Sequence, residues 1–255
     1  MNFSMRRTGG KQLKYIYDTT DTKIFITGSS AIEFAVSGLR RLLGRVISFT
    51  LYQLLFKEFL QFKKSDLERI THLPSAHKQM LPLYKEFLRY GGYPRVVLEN
   101  KVEKKKRLLQ EILNVYLLRD IRDIFQIQGH TRFLHLIEAL AAQQASRVSW
   151  SNLRDITGYN QKDLKTKVTI LEKTFISSFI RPFFTNKQKE LVKNPKVFFI
   201  DPGFRNAVLD TFTIDGTLHE CFVFSEAVKA GKMPKYWRKK SGAEVDFVID
   251  AVLLK

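Results

Sequence analysis

The middle of the chain, from about residue 65 to residue 145, repeats its apolar residues at intervals of three and four. This spacing places apolar side chains along one side of an α-helix. Only Pro74, Pro82 and the stretch YGGYPR at 90–95 interrupt it, so the region predicts successive helices. Runs that suit strands, rich in β-branched and aromatic residues, lie before and after it. The predicted fold is therefore α+β and predominantly helical.

Two apolar runs near the N-terminus predict short strands. Residues 22–27 (TKIFIT) end at Gly28-Ser29-Ser30, and residues 44–51 (GRVISFTL) form the second run. Both combine β-branched and aromatic residues and are bounded by glycine, which is typical of strands.

Residues 147–185 and the strand after them predict a winged helix-turn-helix. SWSNLRDITG begins with a serine cap and ends at Gly158, and QKDLKTKVTILEKTFI forms a second helix. Two strands then flank a polar turn, TNKQKE, that would form the wing. In such folds the second helix enters the DNA major groove and its basic residues contact phosphates, although many winged helices contact proteins instead. The candidate DNA-binding residues are Asn160, Gln161, Lys162, Lys165, Lys167, Lys187 and Lys189.

The charge of the chain also indicates a polyanionic partner. It contains 43 Lys and Arg against 25 Asp and Glu, a formal net charge of +18. Nucleic acid, an acidic membrane surface and a simply solubilising surface are the possible reasons, and the spread of the excess along the chain favours nucleic acid. No apolar run reaches the roughly 20 residues of a membrane span, so no membrane role is expected.

The cysteine and histidine content limits the remaining chemistry. A single cysteine, Cys221, excludes an internal disulfide framework and is typical of a reducing cytoplasm. The five histidines have no zinc-ligand spacing. We therefore predict a cytoplasmic protein.

The C-terminal segment YWRKKSGAEVDFVID, residues 236–250, predicts a β-hairpin with two carboxylates. Glu244 and Asp246 alternate with apolar residues, so both point to one face, about 7 Å apart. They could share a divalent cation. Alternatively, they form exposed ion pairs across the hairpin with Arg238, Lys239 or Lys240, each worth about 0.2–1 kcal/mol.

An ATP site is not evident in this chain alone. A P-loop needs two glycines with four residues between them, then a lysine, and a serine or threonine for magnesium. Gly10-Lys11 lacks the earlier glycine, and Gln12 replaces the hydroxyl residue. No cofactor is therefore demonstrable from these residues.

The order of the motifs nevertheless resembles a large archaeal and bacterial family of predicted AAA-type ATPases. The strand ending in TGSS, the segment LLGR before a strand and FKEF, the segment YGGYPRVVL, and the C-terminal segments KVFFIDPGFRNAV and YWRKKSGAEVDFVI all occur in the family's order. The resemblance covers nearly the whole chain.

The resemblance implies an ATPase core whose first half lies upstream of the position of Leu13. The chain would then be an N-terminally truncated member: a gene fragment, the product of a late start codon, or one part of a split protein. A protein partner or a homo-oligomer is a possible source of the missing half. Ser29 or Ser30 would be the sensor residue and Arg45 the residue that senses phosphate; the alternative for Arg45 is a surface salt bridge. ATP and Mg²⁺ are implied for full-length relatives.

The resemblance also implies that the C-terminal region is similar to PD-(D/E)xK nucleases. That chemistry uses acids to hold a divalent cation and a lysine to position the nucleophile. Glu220 and Asp246 would be the catalytic acids and metal ligands, and Lys255 the catalytic lysine. Leu253 stands where the pattern has a glutamate, so the third acid is missing and an inactive or structural hairpin is favoured.

These interpretations divide the chain into four regions. Residues 1–62 would be a remnant of the AAA core, 63–146 a helical region, 147–200 the winged helix-turn-helix, and 201–255 a truncated nuclease-like domain. The expected function is a fragment or partner subunit of a DNA-associated AAA-type ATPase that acts as a basic DNA- or protein-binding module. The alternatives are a metal-dependent nuclease and, third, an ATP-binding protein.

Overall fold

The structure is a computed structural model that describes residues 9–27, 47–65, 67, 74–115, 129–239, 241–250 and 252–254. The chain divides into two compact units. One comprises residues 1–51 with the short segment 173–175, and the other comprises residues 52–172 and 176–255. None of the helices in the described ranges is long and apolar enough to cross a membrane.

The elements alternate short helices with small sheets, in agreement with the predicted α+β class. Their bounds are α1 (Gly9–Thr19), α2 (Phe56–Phe62), α3 (Pro74–Tyr90), α4 (Pro94–Leu98), α5 (Val102–Leu113), α6 (His130–Ala142), α7 (Trp150–Thr157), α8 (Gln161–Lys173), β1 (Ser177–Ile180), α9 (Lys187–Val192), β2 (Lys196–Phe199), α10 (Pro202–Val208), α11 (Gly216–Lys229), β3 (Lys235–Arg238), β4 (Glu244–Ile249) and β5 (Val252–Leu254).

In the smaller unit, α1 packs Leu13 against Ile24 and Ile26. Phe25, between them in the sequence, points to solvent. The prediction that 22–27 and 44–51 form strands is wrong for the residues that are described, 22–27 and 47–51. Neither stretch pairs with a strand in the described part of the chain. A β-ladder requires such a partner for its backbone hydrogen bonds.

The two helices predicted between residues 149 and 176 are confirmed. Ser149 caps α7 by accepting a hydrogen bond from the Asn152 amide, and Gly158 ends it in the left-handed conformation. In α8, the residues Leu164, Val168 and Leu171 are buried, as their spacing predicts.

The predicted wing differs from a simple turn. Strands β1 and β2 pair antiparallel, but the segment between them contains α9. This segment is fastened to β3: the Phe183 amide donates to the Tyr236 carbonyl, and the Tyr236 hydroxyl donates to the Asn194 carbonyl. Lys235 and Glu190 form an ion pair at the same place. The connection therefore packs against the C-terminal sheet.

The C-terminal sheet is antiparallel, in the order β3-β4-β5. The predicted hairpin is confirmed as β3 and β4, with Arg238 opposite Glu244. Phe198 of β2 joins this sheet to α11, since its ring lies 4.6 Å from that of Phe224 and 5.5 Å from that of Phe247. One hydrophobic core thus connects β2, α11 and β4.

The carboxylate of Asp201, two residues after β2, joins distant parts of the larger unit. One oxygen accepts the Phe204 amide at 2.9 Å and so caps α10, and the other accepts the Gly92 amide at 2.7 Å. A Cβ atom on Gly91 would lie 2.0 Å from Asp201 Oδ1, and one on Gly203 would lie 2.2 Å from the Tyr90 carbonyl carbon. The motifs GGYP and DPG are therefore two halves of one close contact.

We predict that Gly203→Ala destabilises the protein by about 3 kcal/mol or prevents folding, because the added methyl group meets backbone atoms that cannot rotate away. Gly216→Ala is the matched control, since nothing lies within 4 Å of its Cβ position, and it should change stability by less than about 1 kcal/mol. Urea denaturation followed by circular dichroism compares the two variants. Equal stability of both would contradict the contact.

Candidate functional site

An open pocket of about 660 Å³ lies between β2, α11 and the β3–β4 hairpin. Its charged lining consists of three basic and three acidic residues: Arg147, Lys196, Arg238, Glu220, Glu244 and Asp246. The structure thus brings together Glu220 and Asp246, the two predicted acids. Glu244, predicted to share a face of the hairpin with Asp246, lines the same pocket, and Lys196 joins them from another part of the chain.

Lys196 is the centre of this charge cluster. Its ammonium nitrogen lies 2.6 Å from Glu244 Oε1, 3.4 Å from Asp246 Oδ1 and 3.6 Å from Glu220 Oε2. The Lys196 side chain is only 6% exposed, and its nitrogen lies 5.6 Å from the centre of the Tyr236 ring. One buried cation therefore serves three carboxylates.

Burial and neighbouring charges both act on the pKa values of the buried Lys196 and the half-buried Glu220. Burial lowers the pKa of Lys196, but the hydrogen bond to Glu244 and the surrounding carboxylates outweigh it, so the pKa is raised. The lysine therefore stays protonated. Burial raises the pKa of Glu220, and the charge of Asp246 acts in the same direction, whereas Lys196 partly opposes both.

Local structure explains why these side chains meet. Glu220 lies one helical turn before Phe224 on α11, so it continues the face that packs on Phe198. Glu244 and Asp246 share one face of β4, and Lys196 begins β2. Packing around Phe198 fixes β2, α11 and β4 relative to one another. The charged side chains of these three elements therefore meet at the pocket.

The sequence left open whether Glu244 and Asp246 share a cation or form ion pairs across the hairpin, and the structure gives the two residues different partners. Glu244 does pair across the hairpin, accepting from Arg238 Nη1 at 3.1 Å. Asp246 instead contacts Lys196, which lies 50 residues earlier in the sequence. Lys255 lies outside the described residues, while Leu253 is exposed on β5.

The sequence reasoning missed Lys196. It stands in the segment KNPKVFFID, whose apolar pattern predicts only a buried strand. A lysine at the start of such a strand is the available signal, because a buried lysine requires carboxylate partners.

The predicted DNA-binding residues lie mainly on α8. The side chains of Gln161, Lys162 and Lys165 are exposed, whereas Lys167 is half-buried at the edge of the face that packs into the core. Asn160 is used as a helix cap: its Oδ1 accepts the Asp163 amide, and its Nδ2 donates to the Asp163 carboxylate. Its amide group is therefore already occupied.

The other predicted residues are placed only in part. Lys187 and Lys189 belong to α9, the helix within the predicted wing. The expected nucleotide-sensing residues Ser29, Ser30 and Arg45 lie outside the described residues.

Comparison with known proteins identifies two regions of the chain. Residues 5–60 match an AAA domain, so the protein is related to AAA-type ATPases. Residues 81–215, more than half of the chain, match the family described as domain of unknown function DUF8612. The chain therefore belongs to the DUF8612 family.

Curated relatives from an archaeon and a bacterium are similar along most of the chain. Two uncharacterised proteins of Methanocaldococcus jannaschii are 27% and 24% identical, over 89% and 93% of this chain. An uncharacterised protein of Haemophilus influenzae is 25% identical over 89% of it. The chain spans about half the length of these relatives, 52%, 55% and 56% respectively. No solved structure matches the chain.

The raised pKa of Glu220 predicts a specific pH dependence of stability. The folded-state pKa of Glu220 exceeds the unfolded value of about 4.3, so the folded protein binds this proton more tightly. The contribution of Glu220 to stability therefore falls as pH rises from the unfolded-state pKa through the folded-state pKa. Relative to Glu220→Gln, the wild type should therefore gain stability as pH falls from about 7 towards 4.3. Urea denaturation of both proteins at constant ionic strength measures the difference. A wild type that loses stability relative to Glu220→Gln on acidification would contradict the environment assigned to Glu220.

Proposed function

We propose that this chain is a nucleic-acid-binding module of an AAA-type ATPase family protein, and that α8 supplies its main contact surface. The observation that carries the proposal is the exposed basic face of α8, on a chain of net charge +18. The exposed Lys162 and Lys165 take part in no ion pair with another described residue, so both are available to phosphates.

The support of α8 is consistent with this role. Leu164, Val168 and Leu171 anchor it in a core shared with α6, α7 and β2, and Asn160 caps its first turn. A rigid helix presents its lysines without a large entropy cost on binding. Because the amide of Asn160 is occupied by the cap, base reading has little support, and weak sequence preference is expected.

The AAA-related part belongs to the same proposal. The match of residues 5–60 to an AAA domain supports a fragment or partner subunit of an AAA-type ATPase. Binding of Mg-ATP by the chain itself, as in the proposed activity of full-length relatives, is the third hypothesis.

A metal-dependent nuclease is the second candidate function. The convergence of Glu220 and Asp246 on one pocket favours it, since both were expected as acids of a PD-(D/E)xK-like site. The proposed residues are Glu220, Asp246 and Lys255.

We predict that replacing Lys162, Lys165 and Lys167 together with alanine weakens duplex DNA binding about tenfold or more at about 0.1 M salt. The loss should be similar for unrelated sequences, because phosphate contacts carry no sequence information. The slope of log affinity against log salt should fall by up to about 0.9 for each phosphate contact removed. Fluorescence anisotropy with labelled duplexes measures both quantities.

The matched control replaces Lys57, Lys78 and Lys85, three exposed lysines of α2 and α3, and removes the same charge. Its affinity should stay within about threefold of wild type. Equal losses in the two triple variants would mean that overall charge, and not α8, determines binding. If the wild type does not bind at micromolar protein in about 50 mM salt, the proposal fails.

The nuclease candidate is decided by incubating plasmid with the protein and Mg²⁺ or Mn²⁺. A nuclease that uses these acids should lose cleavage in Asp246→Ala and in Glu220→Ala. Cleavage that persists in both variants belongs to a contaminant, and absence of cleavage by the wild type refutes the candidate.

A further inference from the structure

The PD-(D/E)xK resemblance implies a divalent cation between the acids of the pocket, and the arrangement of the residues can be tested against it. Such an ion needs carboxylate oxygens that are free to coordinate it. All three acids instead contact Lys196, and Glu244 also accepts from Arg238. In the described part of the chain, no group of three or more His, Cys, Asp or Glu side chains is arranged to hold a metal ion. The residues in this arrangement do not fit the metal.

We propose that the Lys196 ammonium is the permanent cation of this pocket, and that it replaces a divalent metal ion rather than working beside one. The pocket is then a metal-independent part of the protein. This goes beyond nucleic-acid binding by α8, and it predicts that the pocket of the wild-type protein binds neither Mg²⁺ nor Mn²⁺.

The position of the ammonium supports replacement. It lies within 3.6 Å of acids from two different elements, α11 and β4, which is the place that a bridging metal ion would take. Lys196 reaches it from a third element, β2, whose residues are all buried. A metal ion that bridges these acids would have to displace the ammonium. The binding energy of the metal would then have to offset the loss of the carboxylate partners of Lys196.

The surroundings of Lys196 also hold it in place. Its side chain is only 6% exposed, and the Tyr236 ring lies beside the ammonium. The Tyr236 hydroxyl is itself fixed by the Asn194 carbonyl, two residues before Lys196. A cation close to an aromatic ring and to carboxylates is stabilised by both.

Removing the ammonium should therefore create a metal site. Lys196→Met leaves three carboxylates without a central cation, and these should then recruit Mn²⁺. We expect about 1 mM Mn²⁺ to leave the Tm of the wild type unchanged and to raise that of Lys196→Met by about 2–6 °C. Electron paramagnetic resonance of free Mn²⁺ should show binding only by the variant. Adding Asp246→Asn to Lys196→Met should abolish the gain, which places the ion in this pocket.

Two lysine variants serve as controls. Lys196→Arg keeps the positive charge and should not respond to Mn²⁺. Lys232→Met removes a lysine from an exposed ion pair with Asp250 and should not respond either. If Lys196→Met does not fold, Lys196→Gln combined with Glu220→Gln removes one charge of each sign and should still gain Mn²⁺ binding.

Two results would overturn the proposal. One is Mn²⁺ binding by the wild type that Asp246→Asn abolishes, since the ammonium would then yield to the metal. The other is absence of any gain in the folded Lys196 variants that lack the charge. DNA binding is measured separately by anisotropy, so failure of the α8 proposal and failure of this one are distinguishable.

Discussion

The larger unit depends on the buried carboxylate of Asp201. This group accepts the amides of Gly92 and Phe204, and so connects the end of α3 to the start of α10 directly after β2. Burial raises the pKa of Asp201, while the charge of Lys229 and the amide hydrogen bonds oppose the rise. A buried acid is tolerated only when such partners satisfy it. Lys196 begins β2 and Asp201 follows its end, so one strand links this contact to the charged pocket.

Two more residues of the segment DPGFRNA, which begins at Asp201, connect α10 to the ends of other helices. The side-chain amide of Asn206 donates to the carbonyls of Leu88 and Arg89 at the end of α3, and Arg205 donates to the Ala141 carbonyl at the end of α6. Orphaned carbonyls at helix ends are thereby paired. The segment DPGFRNA is a structural connector, which explains why so many polar residues in it are buried.

The two candidate surfaces, the exposed side of α8 and the charged pocket, differ in how their charges are balanced. On α8, exposed lysines have no carboxylate partner among the described residues, so they can neutralise an external polyanion. In the pocket, three basic and three acidic residues face one another around the buried Lys196. The proposed division is therefore between binding by α8 and structural charge balance, without a metal, in the pocket.

The sequence by itself determined the local structure of these parts. Helical spacing located α8 and its buried face, Ser149 and Gly158 marked the ends of α7, and period-two alternation placed Glu244 and Asp246 on one face. These features depend on residues a few positions apart. Only the tertiary structure decided that Asp246 meets Lys196, that the segment around α9 packs on β3, and that Asp201 joins GGYP to DPG. Such contacts link residues 40 to 110 positions apart, where no local periodicity constrains them and the packing of whole elements selects the partners.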